Sequence, residues 1–186
     1  MSDSELYFSV DIEASGPMPG EYSMLSLGAC RVDALEHTFY AELRPISDRF
    51  VPAALEVSGF DLHWLMNEGQ EPPAAMQSFQ KWIMKETQGQ TPVFAGFNAS
   101  FDWSFVNWYF HKFVGTNPFG VAALDIKAYY MGLTGCSWDE TRSSKLPESL
   151  KPKRAEEMKH NALSDALYQA EMFRRIIESR PELSRR

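Results

Sequence analysis

Apolar residues recur along this chain at two spacings, and the switch between them divides it into strands and helices. Leu6-Tyr7-Phe8-Ser9-Val10 is a run rich in strand formers that ends in Asp11-Ile12-Glu13 and stops at Gly16-Pro17. A Gly- and Pro-rich loop follows, then two further strand-like runs over 24–33 and 38–43. Three early strands with short connections predict an antiparallel meander. Between 52 and 66, Ala54, Leu55, Val57, Leu62, Leu65 and Met66 recur every three to four residues, which predicts short helices broken near Ser58-Gly59. Glu71-Pro72-Pro73 opens a longer helix with Met76, Phe79, Ile83 and Met84 as its buried stripe. Residues 92–97 read as a buried strand ending at Asn98, 102–114 as a helix, and 121–131 as a short strand leading into a helix. The segment 135–159 is polar and irregular, and the last helix carries Leu163, Leu167, Ala170, Met172, Phe173, Ile176 and Ile177. Strands first, then alternating helices and strands, predict one α/β domain over 1–186 with a mixed sheet flanked by helices.

Composition narrows the class. At 186 residues, 44% hydrophobic and 23% charged, the chain suits a single globular domain. No apolar run approaches the roughly 18 residues that span a bilayer, and the acidic start Met1-Ser2-Asp3-Ser4-Glu5 is unlike a signal peptide, so the expectation is a cytoplasmic protein with no membrane partner. Cys30 and Cys136 are too few for a disulfide framework, and Cys30 reads as a buried small hydrophobe. The net charge of −7 argues against a broad basic surface, although a local basic patch stays compatible with it.

Three stretches carry chemistry. On a strand, Asp11 and Glu13 project to one side, about 6–7 Å apart, at the strand's carboxyl end. A divalent cation suits such a pair, and an ordinary acidic loop is the alternative. Asp102 stands at the entrance to a helix, whose free N–H groups and positive dipole end suit an anion or a bound phosphate; the alternative is that Asp102 caps the helix. His160 and Asp165, five residues apart, converge only if His160 lies before the last helix and Asp165 within its first turns.

Taken together, Asp11-Ile12-Glu13, Asn98-Ala99-Ser100-Phe101-Asp102 and His160-Asn161-Ala162-Leu163-Ser164-Asp165 resemble the three motifs of the DEDDh 3′→5′ exonucleases, within the ribonuclease H-like superfamily. This group includes polymerase proofreading subunits, RNase T and oligoribonuclease. The resemblance implies a ribonuclease H-like fold in which antiparallel first strands are followed by parallel ones. It implies that Asp11, Glu13, Asp102 and Asp165 hold two Mg²⁺ or Mn²⁺ ions, with Asp11 between them, and that His160 is the general base. The substrate would be the 3′ end of single-stranded RNA or DNA, with RNA ahead of DNA, and the products nucleoside 5′-monophosphates. Some members of the group are dimers, so a homodimer is one expected assembly. Asp125, in Ala123-Leu124-Asp125-Ile126, falls where the group often ends a strand with Asp, and reads as structural or supporting. Where many members carry Thr after the first-motif Glu, this chain has Ala14 and then Ser15.

Candidate substrate contacts follow from the same motifs: Ser15, Met18, Met24 and Leu25 after the first, and Asn98 and Phe101 in the second. At helical spacing Phe101, Phe105 and Trp108 share a face, and the core is the expected place for the latter two. Lys145, Lys151, Lys153, Arg154 and Lys159 suit phosphates or a solvated charged loop equally. Two other readings stand beside the exonuclease: a non-catalytic nucleic-acid- or protein-binding module of the same fold, and a hydrolase of very short oligonucleotides.

Overall fold

A computed structural model describes residues 4–153 and 161–180. Five strands form one sheet in the order β3-β2-β1-β4-β5. They are β1 (Glu5–Ala14), β2 (Met24–Arg31), β3 (Thr38–Glu42), β4 (Thr91–Gly96) and β5 (Ala123–Asp125). β1 pairs antiparallel with β2 and β2 with β3, whereas β4 runs parallel to both β1 and β5. The antiparallel meander and the later parallel strands are therefore as expected.

Alternation along β1 sorts the molecule into two cores. Leu6, Phe8, Val10, Ile12 and Ala14 face one side and pack against α3 (Pro72–Thr87) and α4 (Ser100–Phe113) through Met76, Phe79, Ile83, Phe105, Tyr109 and Phe110. The other side carries Tyr7, Ser9, Asp11 and Glu13. There α5 (Ile126–Thr134) and α6 (Ala162–Glu178) pack through Ile126, Ala170, Phe173 and Ile176. The short helices α1 (Pro52–Ser58) and α2 (Leu62–Glu68) sit between β3 and α3, separated at Gly59 as the composition predicts. Among the described residues no helix is long and apolar enough to cross a membrane.

Two expectations are corrected, for α3 and for the polar segment, and the packing row of α6 is added to them. Met84 is 58% exposed: the buried stripe of α3 runs through Ala75, Met76, Phe79 and Ile83, and one further residue turns 100° away from it. Leu163 and Leu167 are only half buried, because the row of α6 nearest the sheet is Ala162, Ala166 and Ala170. The polar segment after α5 is ordered over 138–150 as three 3₁₀ turns, Trp138–Thr141, Ser143–Lys145 and Glu148–Leu150. Buried Leu146 and Leu150 anchor it in the second core, a signal that the surrounding charges conceal.

The small residues of α6 have a reason. A Cβ placed on Gly28 of β2 would lie 2.2 Å from Leu163 N and 2.3 Å from Ala162 C, so helix and strand meet backbone to backbone. Ser9 Oγ donates to Ala166 O at 2.8 Å, and Cys30 Sγ contacts the same oxygen at 3.5 Å. Burial pushes the Cys30 thiol up to about 12, so it stays a neutral donor. Gln169 joins two strands: its Nε2 donates to Val10 O at 3.0 Å, and its Oε1 accepts from Phe97 N at 2.5 Å.

Gly28→Ala is expected to destabilise the chain by at least about 1–3 kcal/mol, since the atoms in its way are backbone and cannot turn aside; a urea midpoint unchanged from the parent would contradict this. Gln169→Leu removes partners from two backbone groups at the head of the sheet, with an expected loss of about 2–5 kcal/mol. Gln169→Glu, which keeps only the acceptor, is expected to fall between the two in the same denaturation series.

Candidate active site

The parallel pairing of β1 with β4 ends at Ser9 and Ala95, and beyond it the two strands separate. Carboxyl ends of strands at such a divide are where α/β sheets bind ligands, because no backbone ladder fills the gap. Asp11 and Glu13 emerge here from β1, on the face covered by α6. Asp165 arrives from the first turn of α6. One carboxylate oxygen from each of Asp11, Glu13 and Asp165 lies within 4.8 Å of the other two.

Asp102 enters from the opposite side. It lies in the first turn of α4, and its Oδ1 accepts from Ile12 N at 3.1 Å, so it grips the peptide between Asp11 and Glu13. Among the described residues no side chain caps the N-terminus of α4, and the capping alternative gives way to this bond from helix to strand. The turn that delivers Asp102 is held by Asp125. Its Oδ2 accepts from Ala99 N at 2.7 Å, and its Oδ1 from Ala128 N at 2.8 Å as the cap of α5. Asp125 is thus a supporting residue, in keeping with its reading in the sequence. Asn98 makes the turn itself in the left-handed region, at φ 72°.

Burial pushes the Asp102 carboxyl from its ordinary 3.8 up to about 7, opposed by the Ile12 N–H and reinforced by the negative charges of Glu13 and Asp165. Four carboxyls gathered this closely repel one another, and their donor atoms are all hard oxygens. That combination fits divalent cations such as Mg²⁺ or Mn²⁺, which take carboxylate oxygen and relieve the repulsion.

A cavity of about 500 Å³ opens beside them, within the range of small-ligand sites. Asp11 and Asp165 form its acidic end. Phe97, Tyr168, Gln169 and Met172 line one wall, and Ser143, Glu148, Lys151 and Pro152 of the 3₁₀ segment line the other.

The remaining sequence-derived residues divide clearly. Met18 is 48% and Phe101 37% exposed, and both offer apolar surface; Asn98 is exposed as well. Ser15, Met24 and Leu25 have no surface through which to touch a ligand. The Ser15 hydroxyl donates to Arg49 O at 2.9 Å and accepts from Ser23 N at 2.9 Å, while Met24 packs in the first core. These three shape the loop after β1 from within. Phe105 is fully buried and Trp108 packs on Tyr109 and Phe113, as expected of core residues. Lys145 pairs with Asp139, and Lys151 with Glu148 at 2.6 Å. His160, with Arg154 and Lys159, lies outside the described residues. The sequence reading passed over Gln169, although a buried amide one helical turn beyond Asp165 is the kind of residue that such a site needs nearby.

Residues 7–177 match the model of the family described as the 3′-5′ exoribonuclease Rv2179c-like domain. The chain is 51% identical over 176 residues to the 3′-5′ DNA exonuclease Cap18 of Escherichia coli, covering 94% of this chain and 93% of that protein. Among solved structures, the nuclease domain of 3′hExo, a DEDDh family member bound to rAMP, has a TM-score of 0.74 at 14% identity, covering 98% of this chain and 96% of that one. Exonuclease I of Escherichia coli in complex with a dA16 oligonucleotide has a TM-score of 0.65 at 15% identity, covering 97% of this chain and 42% of that one. These two structures establish the ribonuclease H-like fold, and the sequence match establishes more: the chain belongs to the 3′-5′ exoribonuclease Rv2179c-like domain family and is a 3′-5′ exonuclease.

Proposed function

We propose that this protein removes nucleotides one at a time from the 3′ end of single-stranded nucleic acid by metal-dependent hydrolysis. The observation that carries the reading is the meeting of Asp11, Glu13 and Asp165 within 4.8 Å, with Asp102 bonded to the peptide between the first two. Asp11, Glu13, Asp102 and Asp165 would hold two Mg²⁺ or Mn²⁺ ions, which when bound make a water nucleophilic and stabilise the departing oxygen. His160 is assigned the proton of the attacking water, since an ordinary imidazole pKa of about 6.5 suits that task near neutral pH. The water oxygen bonds to phosphorus, the bond from phosphorus to the 3′ oxygen of the preceding nucleotide breaks, and a nucleoside 5′-monophosphate leaves. Phe97, Tyr168 and Met172 give the terminal base an apolar wall beside the carboxylates. Phe101 and Met18 are assigned as further apolar contacts and Asn98 as a polar one, since all three are exposed.

The choice of polymer draws on two supports that differ. The family description names an exoribonuclease, in line with the expectation from sequence, whereas the 51%-identical relative is named a DNA exonuclease. The identity and coverage of that relative favour DNA as a substrate, and we assign activity on both polymers. We place the protein in the cytoplasm on the strength of its composition and its bacterial relative.

With 5′-labelled single-stranded DNA and RNA oligomers, Mg²⁺ or Mn²⁺ is expected to give progressive shortening from the 3′ end, DNA at least as fast as RNA, and EDTA to stop it. Glu13→Gln is expected to lower kcat by at least about 10²-fold, the scale of losing one preorganised electrostatic contact. His160→Ala is expected to lower it by about 10²–10⁴-fold. Shortening that survives EDTA, or that Glu13→Gln performs as fast as the parent, would refute the reading.

The raised carboxyl of Asp102 makes a second, non-catalytic test. A carboxyl raised on folding keeps its stability in acid and loses it as the group is forced to ionise. In EDTA the Tm is therefore expected to fall as pH rises from about 4 through about 7. Asp102→Asn is expected to flatten that slope. Adding Mn²⁺ to the parent at pH 8 is expected to restore the lost Tm, and to do little for the variant.

A further inference from the structure

From the cavity-lining Phe97 the chain leads, through Asn98, to two residues that the hydrolytic reading leaves unused, Lys127 and Trp138. Phe97 lines the cavity, and the next residue, Asn98, is exposed in its left-handed conformation. The Asn98 Oδ1 accepts from Lys127 Nζ at 3.4 Å. Lys127 belongs to the first turn of α5, and its ammonium lies 4.1 Å from the centre of the Trp138 ring. Trp138 opens the first 3₁₀ turn and is 50% exposed.

Two features separate this trio from an ordinary surface. The first is charge. Arg142 and Lys145 share Asp139, and Lys151 pairs with Glu148, so each of these three cations of the neighbouring segment already has a carboxylate partner. Among the described residues Lys127 has no carboxylate at salt-bridge distance; its contacts are an amide oxygen and a ring. The second is the tryptophan itself. Half of a large indole ring is left in water beside a site whose other aromatic groups, Phe97 and Tyr168, are at least half covered. The ammonium lies over one face of the ring, leaving its exposed remainder for another flat group. A cation without an acidic partner beside an uncovered aromatic ring is the pairing that grips single strands, the ring taking a base and the cation a phosphate.

We propose that Asn98, Lys127 and Trp138 form a subsite for the nucleotide that precedes the terminal one, with Trp138 stacking on its base and Lys127 meeting its phosphate. The proposal rests on the exonuclease reading of the adjoining cavity and extends it. It makes length a determinant of recognition: a strand that reaches past Asn98 gains two contacts that a single nucleotide cannot make.

The experiment compares two substrates on the full chain and on Trp138→Ala, Lys127→Ala and the distant surface control Lys81→Ala. A ten-residue single-stranded thymidine oligomer spans both positions, whereas the methyl ester of thymidine 5′-monophosphate carries no ring and no second phosphate beyond the terminal one. Trp138→Ala is expected to raise KM for the oligomer at least fivefold, the lower end of what one stacked base contributes, and to shift the ratio of kcat/KM between the two substrates by the same factor. Lys127→Ala is expected to make the plot of log Kd against log salt shallower by about 0.7 for the oligomer, the share of one phosphate contact. Kd is read by fluorescence anisotropy with Ca²⁺ in place of Mg²⁺. An equal loss on both substrates would mean that the residues merely support the fold, and no loss on the oligomer would mean that they do not touch it; either overturns the subsite. If the unaltered chain cleaves neither substrate, the hydrolytic reading fails by itself. The anisotropy arm then still decides the subsite, which is overturned if Trp138→Ala binds the oligomer as tightly as the parent.

Discussion

The close approach of α6 to β2 over Gly28 is the constraint on which the site depends. Like charges about 4–5 Å apart repel by on the order of 3–4 kcal/mol at an effective dielectric near 20. Asp165 must be brought to Asp11 and Glu13 against that repulsion. What opposes it is neutral and buried: a strand position with no side chain, a helix face of alanines, and hydrogen bonds from Ser9 to Ala166 O and from Gln169 to Val10 O. At about 0.5–1.5 kcal/mol net for each hydrogen bond, this clamp offsets part of the repulsion, and the apolar packing of Ala170, Phe173 and Ile176 supplies the rest. The fold brings the carboxylates together in advance, which is the state in which a cation binds with little rearrangement.

A second device works from the other face of the sheet. Asp102 lies in the first core's helix, and its carboxyl reaches the Ile12 peptide on β1, so a hydrogen bond ties α4 to the strand that carries Asp11 and Glu13. Asp125 fixes the turn that precedes it by accepting from two backbone N–H groups on separate elements. Carboxylates thus play two roles here. Asp125 is consumed by backbone donors and is structural, while Asp102 is buried beside Glu13 and Asp165, and that burial, reinforced by their charges, raises its pKa.

The cavity beside the cluster is built half from the rigid scaffold and half from the 3₁₀ segment after α5. Only Thr141, Leu146 and Leu150 of that segment are buried, and its charged residues largely neutralise each other. Lys127 escapes that neutralisation because it sits on α5, across from the segment, and faces Trp138 in place of a carboxylate.

Much of this was legible in the residues alone, for identifiable reasons. Period-two alternation through Val10-Asp11-Ile12-Glu13 dictated that both acidic side chains share a face, whatever packed on it. Pro72, Gly59 and Gly135 marked helix ends by local backbone chemistry, and three motifs in order named the family. Neighbours in sequence decided none of the rest. Met24 and Leu25 lie a few residues from the first motif and yet are fully buried, because the strand they begin is sealed by α4 from one side and α6 from the other. Gln169 looks like one polar residue on an apolar stripe until two strands 87 residues apart, at Val10 and Phe97, turn out to end on it. Local pattern determines which face a side chain takes; which distant backbone covers that face, how closely, and with what left exposed is a property of packing, and packing exists only once the chain has closed upon itself.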